Sequence, residues 1–471
     1  MVDSSSQTRS GGEAGLKSGC LGFKAILSLA IANIAPATTP TLNLPKMFSH
    51  SGNGTWLAFL LATIGLVLVS LNINQFASRK ASSGSMYTYV AQGLGPTLGV
   101  LCGWSLSIGY IAAGMAVLSG FVSYVNVLLQ PLGFQVFPVL LFAIGTGLAW
   151  FLAYKGIELS TTLMLGIQLI SVALILIIAW IVLKKHGFAP DMAQLSLRSV
   201  SLPNLQLGLV LAVFSFVGFE SATTLGEEAK NPLKYIPRAV LSSTVGVGLF
   251  FIITSYVEIL GFSSSKVTLD QSKAPLNILA NQAGVGFFGV PISLGAAISL
   301  FASTLGSLTA GGRILLSMSR HKLLHRAVGR VHRRNQTPHV AIALSAVLTF
   351  LVPTILSLRG IEVMKIFEYT GSFSAYGFLL AYILVSVAAP IYLRKQRRLR
   401  RRNVVVAVVA VLFLLIPVVG SVYPVPPAPL NVLPVLFLVL MILCSSWFVW
   451  RRWREPEIIN EIKRDVRANH S

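Results

Sequence analysis

Apolar runs of about twenty residues recur along the whole chain. Each is long enough to cross roughly 30 Å of hydrocarbon as a helix, and none shows the alternating pattern of a membrane barrel strand. Only 11% of the residues are charged, against about 25% in a soluble domain. We therefore predict an all-α membrane protein. Twelve spans are predicted, at approximately 24–47, 54–78, 97–128, 136–154, 160–183, 205–229, 237–261, 289–319, 338–358, 364–393, 403–422 and 431–450.

The basic residues are distributed unevenly between the two sides of the predicted membrane. A net charge of +22 would suggest a nucleic-acid partner for a soluble chain. With the N-terminus inside, however, 29 of the 37 lysines and arginines fall in cytoplasmic segments. This asymmetry follows the positive-inside rule and predicts that both termini are cytoplasmic. We expect a multi-pass protein of the plasma (inner) membrane with no nucleic-acid partner. The run RKQRRLRRR is interpreted as a topology anchor, with a dedicated anionic-lipid site as the alternative.

The two ends of the chain are polar. Residues 1–23 and 451–471 are predicted to be cytoplasmic tails, loose over the first twenty residues and after Trp453. The start has no signal-peptide pattern, so the first span is expected to be an uncleaved anchor. No cofactor is expected, although proton or sodium coupling stays open. Three cysteines suggest neither a disulfide framework nor a metal site: Cys20, Cys102 and Cys444.

The first predicted span contains a stretch that an α-helix does not tolerate. It reads FKAILSLAIANIAPATTPTLNLPKMF, with Pro36 and Pro40 near its middle. Each proline removes a backbone donor and clashes with the preceding turn. Two prolines four residues apart, flanked by Asn33, Thr38 and Thr39, therefore predict a break.

The sixth predicted span is also interrupted. Gly218 and Glu220 stand within FSFVGFESATTLGEEAKNP, in an otherwise apolar helix. Glycine in a helix costs roughly 1 kcal/mol relative to alanine. A glutamate at bilayer depth costs roughly 3 kcal/mol, which marks Glu220 as a functional-site candidate.

The two interruptions lie five spans apart. Because five is odd, a repeat that begins at the sixth span is inverted relative to one that begins at the first. Interrupted helices at matching positions of inverted halves predict a substrate site at the membrane midplane, where opened backbone lines a cavity. The alternative is that Gly218 and Pro36 only kink packed helices, which explains one break better than two in register.

Three ordered motifs resemble those of a known transporter superfamily. FSFVGFESATTLGEEAKNPLKYIPRAV resembles the sixth-helix signature of the amino acid–polyamine–organocation superfamily, with its G-F-E/D centre, paired acids, K-N-P and I-P-R-A. ASSGSMYTYVAQGLGPTLGVLCGW, residues 81–104, resembles the stretch that leads into helix three. AGGRILLSMSRHKLLHRAVGRVHRRNQTPHVAI, residues 310–342, resembles the end of helix eight and the start of helix nine.

This resemblance implies twelve transmembrane helices in a LeuT-like arrangement of five plus five in inverted repeat. The first repeat would span residues 24–183 and the second 205–393, with two further helices at 403–450. Helices one and six would be broken, and helices three, eight and ten would complete the site. The resemblance also implies an amino acid permease, that is, secondary active transport of amino acids across the plasma membrane by alternating access.

Three features depart from the pattern of the superfamily. The break ANIAPATT lacks the usual glycines of helix one, and SGS at 83–85 replaces S-G-G. Gln168 stands where proton-coupled members often place a lysine on helix five. The proton-carrier role of that lysine is therefore not expected here.

An amino acid presents a carboxylate and an ammonium group to its site. Backbone N–H groups exposed by the opening of helix one suit the carboxylate, and carbonyl oxygens exposed by the opening of helix six suit the ammonium. Phe216 and Phe219 are candidates for the pocket wall, with packing or lipid contact as the alternative. The residues predicted to bind substrate are Asn33, Ala35, Ala37, Thr38 and Thr39 on helix one, and Phe214, Ser215, Phe216, Val217, Gly218 and Phe219 on helix six.

Three acidic residues are predicted to act in gating. Glu220 matches a position linked to gating and pH sensing in the superfamily. We favour a gating role over direct contact with the substrate's ammonium group, and over a structural hydrogen bond. Glu227 and Glu228 lie at the cytoplasmic end of the span, either on a solvated face or in an inner gate. The predicted partners in such a gate are Arg79, Lys80 or Arg313.

Other polar residues lie at membrane depth. Ser303 and Thr304 on helix eight are a possible sodium site, because hard cations prefer oxygen ligands; hydrogen bonds to their own or a neighbouring helix are the alternative. Glu258 is expected in a wet position facing a loop. Glu368, within KIFEYTGSFSAYG, is a candidate for the lining of a vestibule.

Several functions are consistent with the sequence. A permease for ordinary amino acids is favoured over an importer or exchanger of polyamines or ethanolamine-like amines, because only Glu220 is placed to meet an extra cationic group. A nutrient sensor without transport is a further alternative. An enzyme is not expected, because the spans hold no paired catalytic acids, metal-ligand cluster or nucleotide loop. The expected partners are a small-molecule substrate and membrane lipid; the oligomeric state is unknown.

Overall fold

The computed structural model describes residues 16–156, 158–272, 274–423 and 425–468, which are almost entirely helical. One bridge, between Leu21 and Ala229, is the only strand-like pairing within these ranges. The all-α prediction is confirmed. The α-helices are α1 Phe23–Ile34, α2 Leu44–Ser51, α3 Thr55–Ala77, α4 Ser85–Leu94, α5 Pro96–Leu129, α6 Pro138–Lys155, α7 Glu158–Lys185, α8 Met192–Leu195, α9 Leu202–Ser215, α10 Pro232–Phe262, α11 Pro275–Gln282, α12 Gly289–Arg320, α13 His339–Leu358, α14 Val363–Lys395, α15 Arg401–Gly420, α16 Leu433–Arg454 and α17 Glu457–Ala468.

Eleven helical segments of the described chain are long and apolar enough to cross a membrane. The first, Phe23–Ala77, is 55 residues long and contains both of the first two predicted spans, 24–47 and 54–78. They run together because Gly52–Gly54 forms a 3-10 turn between α2 and α3 instead of an open loop. At about 1.5 Å per residue, this segment is long enough for two crossings of a core roughly 30 Å thick. The other ten segments match the other predicted spans one to one.

Helices α12 and α14 both pack extensively against α5. Small residues let α5 and α14 approach closely: a Cβ atom at Gly377 would lie 2.6 Å from the carbonyl oxygen of Ser105. The Ser105 hydroxyl donates to the Gly377 carbonyl at 2.6 Å, and the Ser374 hydroxyl donates to the Gly109 carbonyl at 2.8 Å. Close approach and hydroxyl bonds of this kind hold membrane helices together.

The last two membrane helices lie at the edge of the bundle. In the most apolar 18-residue stretch of each helix, 28% of the residues are buried in α15 and 17% in α16, against 67% in both α10 and α12. The apolar side chains of α15 and α16 therefore face outward over most of their length, as is typical of helices that contact lipid.

Part of the predicted N-terminal tail is docked. The N–H groups of Cys20 and Leu21 each donate to the Glu228 carbonyl at 2.9 Å, and the N–H of Lys230 donates to the Leu21 carbonyl at 2.8 Å. The prediction of a loose tail is therefore wrong for this segment, which lies along the chain just after the sixth predicted span. Residues 1–15 of the tail lie outside the described residues.

The predicted loose C-terminal tail forms a helix, α17. Ile458 and Ile462, one turn apart, are both fully buried. Glu461, on the same helix, forms an ion pair with Lys322 in the loop after α12 at 2.5 Å, and this hydrogen bond raises the pKa of Lys322. The spacing of the isoleucines in EIINEIKRDV indicates an amphipathic helix. The prediction of a loose tail rested on overall polarity and missed this pattern.

Candidate functional site

The first predicted helix break is present, and its prolines explain it. Helix α1 ends at Ile34, and Ala35 takes a left-handed conformation with a φ of 53°. Pro36 follows and has no N–H to continue the ladder. The helix resumes as a π-helical turn, Thr39–Asn43, which leads into α2. In the gap, the N–H of Ala37 donates to no described residue.

The second break is centred on a glycine. Helix α9 ends at Ser215, and the chain continues as a 3-10 helix, Phe219–Leu225. Between them Gly218 has a φ of 111°, a conformation that favours glycine. The Phe214 carbonyl accepts the N–H of Val217 at 3.0 Å, whereas the carbonyls of Ser215 and Val217 accept no hydrogen bond from the part of the chain described.

The two breaks lie directly against each other. A Cβ atom at Gly218 would lie 2.8 Å from the carbonyl carbon of Asn33 and 2.9 Å from the nitrogen of Ile34. Glycine is therefore required here both by its φ and by the approach of the backbones. Close by, the side-chain amide of Asn43 donates to the Ser215 hydroxyl at 2.9 Å. The residues predicted to bind substrate are all buried: Asn33, Ala35, Ala37, Thr38, Thr39, Phe214, Ser215, Phe216, Val217, Gly218 and Phe219.

Two side-chain groups at the first break are buried without a hydrogen-bond partner among the described residues. They are the hydroxyl of Thr38 and the amide nitrogen of Asn33. Buried polar groups are normally paired, and an unpaired one costs about 1–3 kcal/mol. Together with the free backbone groups of both breaks, they can bind a small polar ligand.

Aromatic rings surround the second break. Phe216 and Phe219 are fully buried and pack against other rings, which agrees with the packing alternative and excludes lipid contact in this conformation. The separations between ring centroids are 6.1 Å for Phe214–Phe367, 5.2 Å for Phe216–Phe251 and 5.4 Å for Phe219–Tyr382.

Glu220 is fully buried, and both of its carboxyl oxygens accept hydrogen bonds. The hydroxyl of Tyr110 on α5 donates to Oε1 at 2.7 Å, and that of Tyr382 on α14 donates to Oε2 at 2.8 Å. The N–H of Gly218 also donates to Oε2, at 3.2 Å. Neither tyrosine was predicted as a site residue. The sequence feature that could have indicated them is a tyrosine within an apolar span, because the hydroxyl of a buried tyrosine usually needs a hydrogen-bond partner.

The two hydroxyls of the predicted sodium site point to different partners. The Ser303 hydroxyl donates to the Asn33 carbonyl at 2.7 Å and so joins α12 to the end of α1. The Thr304 hydroxyl donates to the Leu300 carbonyl of its own helix at 3.0 Å. Only Ser303 is therefore joined to the break.

Gln168 joins the same end of α1 from the other side. Its amide nitrogen donates to the Ala32 carbonyl at 3.3 Å and to the Ser299 hydroxyl on α12 at 3.2 Å. Gln168 is fully buried. It therefore links α7, α1 and α12 next to the break through neutral hydrogen bonds.

Comparison with known proteins identifies the family. The model of the family described as amino acid permease matches residues 25–459. The chain belongs to this family. This permease is 25% identical over 374 residues to the branched-chain amino acid permease BcaP of Bacillus subtilis. The alignment covers 74% of this chain and 76% of the relative.

Two further relatives are named for two different substrate classes, branched-chain amino acids and putrescine. The permease is 24% identical over 328 residues to the branched-chain amino acid permease BcaP of Lactococcus lactis subsp. cremoris, covering 66% of this chain and 70% of the relative. It is 26% identical over 299 residues to the low-affinity putrescine importer PlaP of Escherichia coli, covering 62% and 66%. The chain is thus a multi-pass membrane transporter of amino acids or related amines, and it is not an enzyme.

The paired acids of the permease form two ion pairs at the same end of the molecule. Arg313 holds Glu228 through two hydrogen bonds of 2.8 and 3.0 Å, with side chains only 13% and 12% exposed. Glu227 pairs with Arg320 at 3.1 Å, with side chains 37–38% exposed, and accepts the Ser83 hydroxyl at 2.8 Å. Glu228 thus meets a predicted partner and is not on a solvated face, whereas the partner of Glu227 was not predicted.

The two other acids of the spans differ from one another. Glu258 on α10 is 2% exposed, and neither of its oxygens has a hydrogen-bond partner in the described chain. The expectation of a wet position facing a loop is therefore wrong, because the helix turns this residue inward. Glu368 on α14 pairs with Lys46 on α2 at 3.2 Å.

Cavities approach the first break from both ends of the permease. One, of 160 Å³, is lined by Asn33, Thr224 and Arg313, among others. The other, of 650 Å³, is lined by Thr41 and Lys46, among others. Because the break lies between Asn33 and Thr41 in the chain, each half of the interrupted helix borders a different cavity.

Proposed function

We propose that this permease is a secondary active transporter that binds an amino acid where its two helix breaks meet. One observation carries the proposal. The backbone of Gly218 contacts the Asn33–Ile34 peptide, and unpaired polar groups of both breaks are buried around that contact. Buried groups without partners are a cost that a substrate with complementary groups removes.

The free groups fall into two chemically distinct sets. On the first break, the N–H of Ala37 and the hydroxyl of Thr38 are donors that suit a carboxylate. On the second, the carbonyl oxygens of Ser215 and Val217 are acceptors that suit an ammonium group. A donor set and an acceptor set on adjacent segments match an α-amino acid.

Neutral amino acids are the substrate class that the site supports best. Glu220 is the only acidic residue within Phe23–Ser51 and Leu202–Leu225, the segments that contain the two breaks, and tyrosine hydroxyls donate to both of its oxygens. A diamine or a cationic amino acid would bring a second positive charge, and Glu220, whose oxygens already accept hydrogen bonds, is not free to meet it. The putrescine importer among the relatives keeps the amine alternative open to test. A sensor without transport would bind the same ligand without moving it.

Alternating access requires each end to open in turn, and the two ends of this permease differ. At one end the Glu228–Arg313 pair and the docked N-terminal segment hold the inner half of the sixth helix. At the other, Lys46 on the outer half of the first helix pairs with Glu368. We assign the first end to the cytoplasm, following the basic residues, and the protein to the plasma membrane, following its permease relatives. We also keep the five-plus-five inverted repeat as the framework for this motion.

Coupling to sodium is disfavoured by the contacts at the end of α1. The carbonyls of Ala32 and Asn33, which a cation would need, accept hydrogen bonds from Gln168 and Ser303. Both donors are neutral, so neither carries a proton through the cycle as a lysine does. We therefore place any proton coupling on another group.

Uptake into proteoliposomes tests the proposal. The panel contains labelled leucine, valine, arginine and putrescine, with sodium and pH gradients imposed separately. We expect leucine and valine to enter, with no requirement for sodium. Preferential uptake of putrescine would establish the amine alternative, and binding of leucine without uptake would establish the sensor.

A further inference from the structure

A third cavity lies away from the helix breaks, where α3 and α14 end and α15 begins. Its volume is 570 Å³. We refer to it as the arginine cavity, because five of its eight lining residues are arginines and none is acidic. The lining residues are Gln75, Arg79, Arg397, Arg398, Leu399, Arg400, Arg402 and Asn403.

Two distant parts of the chain meet in this cavity. Nη1 of Arg79 donates to the Gln75 carbonyl at 2.5 Å, which fixes the guanidinium at the end of α3, while its Nε is buried without a described partner. Arg79, at the end of α3, lines the same cavity as Arg398, which follows α14 more than 300 residues later in the chain. The arginines are therefore neighbours in space and not only in the sequence.

The positive charge of the arginine cavity is not compensated within the described chain. The ion pairs of the described chain all involve residues outside this cavity. Like charges held close together repel one another, and a bound anion converts that repulsion into attraction. Guanidinium groups bind phosphate oxygens through paired hydrogen bonds. Helix α15 also begins at this cavity, and Arg400 provides no side-chain cap for its first N–H groups, an end of a helix that favours anions.

An apolar stripe continues from the cavity along α15. Leu399, in the cavity lining, is exposed, and so are Val405, Val408 and Leu412, at helical spacing on one face. A free phosphate ion has no apolar part that could contact such a surface. A phospholipid places its headgroup among the arginines and its acyl chains along the stripe.

We propose that the arginine cavity is a binding site for the phosphate headgroup of an anionic phospholipid in the leaflet on that side. This lipid site is separate from the proposed transport function. Its test measures lipid retention in the absence of substrate, so its outcome does not depend on whether the transport proposal is correct. Its chemistry combines a phosphate-binding cluster with an adjoining lipid-facing helix.

The test is native mass spectrometry of the protein released from nanodiscs of phosphatidylcholine with a minority of phosphatidylglycerol. We expect the parent to retain phosphatidylglycerol selectively. The variant Arg398→Gln/Arg400→Gln/Arg402→Gln should lose affinity by about fivefold for each arginine removed. The matched control, Arg326→Gln/Arg333→Gln/Arg334→Gln, removes the same charge from the loop between α12 and α13 and should bind like the parent.

Two further arms distinguish the alternatives. Replacement of the same three cavity arginines by lysine keeps the charge and the membrane topology, and should weaken retention because the paired hydrogen bonds are lost. Lysine variants that bind like the parent, or equal losses in the cavity and loop variants, would overturn the proposal in favour of general surface charge. Titration of the detergent-purified protein with inorganic phosphate should give weak binding; tight phosphate binding without preference for phosphatidylglycerol would overturn the lipid assignment.

Discussion

At the scale of single residues, Glu220 is the most constrained group of the site. Its carboxyl group receives hydrogen bonds from α5, from α14 and from the backbone of Gly218 at the break itself. Movement of the inner half of the sixth helix would have to stretch or break these bonds. That arrangement supports a role in gating over direct contact with the substrate, because no carboxyl oxygen is left without a donor.

Replacing Glu220 by glutamine should slow transport without abolishing binding. The amide keeps the shape, but hydrogen bonds to a charged acceptor are worth roughly 1 kcal/mol more than neutral ones. Weaker bonds leave the closed arrangement around Glu220 less stable, so we expect the return to it, and with it uptake, to slow by up to about fivefold. The pH dependence of uptake should flatten, since the variant lacks the titrating group. Uptake rates at a series of pH values, beside equilibrium binding of the same substrate, measure both effects. Binding that is weakened equally at every pH would instead indicate direct contact with the ammonium group.

Ser303 and Thr304 form a matched pair for testing the sodium hypothesis. Ser303→Ala removes the hydrogen bond to the Asn33 carbonyl, whereas Thr304→Ala removes only a bond within α12. We expect Ser303→Ala to weaken substrate binding by about fivefold, the value of one hydrogen bond of ~1 kcal/mol, and Thr304→Ala to have little effect. Uptake by the parent should not require sodium. A sodium requirement in the parent that both variants lose would restore the ion site.

At the scale of elements, the inner half of the sixth helix is the segment best placed to move. It is a 3-10 helix of seven residues, Phe219–Leu225, and 3-10 geometry is less stable than α-helical geometry. Its end is held by three separate contacts: the Glu228–Arg313 pair, the docked N-terminal segment, and a hydrogen bond between the hydroxyls of Ser85 and Thr223. Such contacts must be released before this end can open.

The two neighbouring ion pairs should therefore differ in strength. Glu228→Gln removes the charge that pairs with a largely buried arginine, and we expect a loss of roughly 1–3 kcal/mol from the closed state. Glu227→Gln, one residue away in an exposed pair, should cost about 0.2–1 kcal/mol. Thermal unfolding and uptake of both variants, with a double-mutant cycle between Glu228 and Arg313, measure the difference. Equal effects of the two substitutions would show that Glu228 is not a gate residue.

The positions of the breaks were predictable from the sequence, but their partners were not. Pro36, Pro40 and Gly218 interrupt helices through local backbone chemistry, which acts in any context. The contacts of Glu220 with Tyr110 and Tyr382 depend on how α5 and α14 pack around the break. Tertiary packing also determines the inward orientation of Glu258, which its place near a helix end did not reveal. Likewise, the docking of α17 depends on isoleucine spacing within a segment of polar composition.

At the scale of the whole molecule, the permease combines a central frame with two interrupted helices. Helices α5, α12 and α14 pack closely through small residues, and the breaks rest against them through Glu220 and Ser303. One cavity approaches from each end, beside each half of the first interrupted helix. This organisation supports a substrate site in the middle that is reached from one end at a time.

The contact between the two breaks is the central claim, and substrate affinity at Gly218 tests it most directly. Gly218→Ala places a Cβ atom 2.8 Å from the Asn33 backbone at a φ of 111°, which separates the breaks. Gly246→Ala on α10 is the matched control, because its Cβ atom meets nothing within 4 Å. Both variants are first shown to be monodisperse and inserted. Equilibrium binding of labelled leucine should then be weakened at least about tenfold, or ~1.4 kcal/mol, in Gly218→Ala and unchanged in Gly246→Ala; a folded Gly218→Ala protein that binds leucine like the parent would contradict the account.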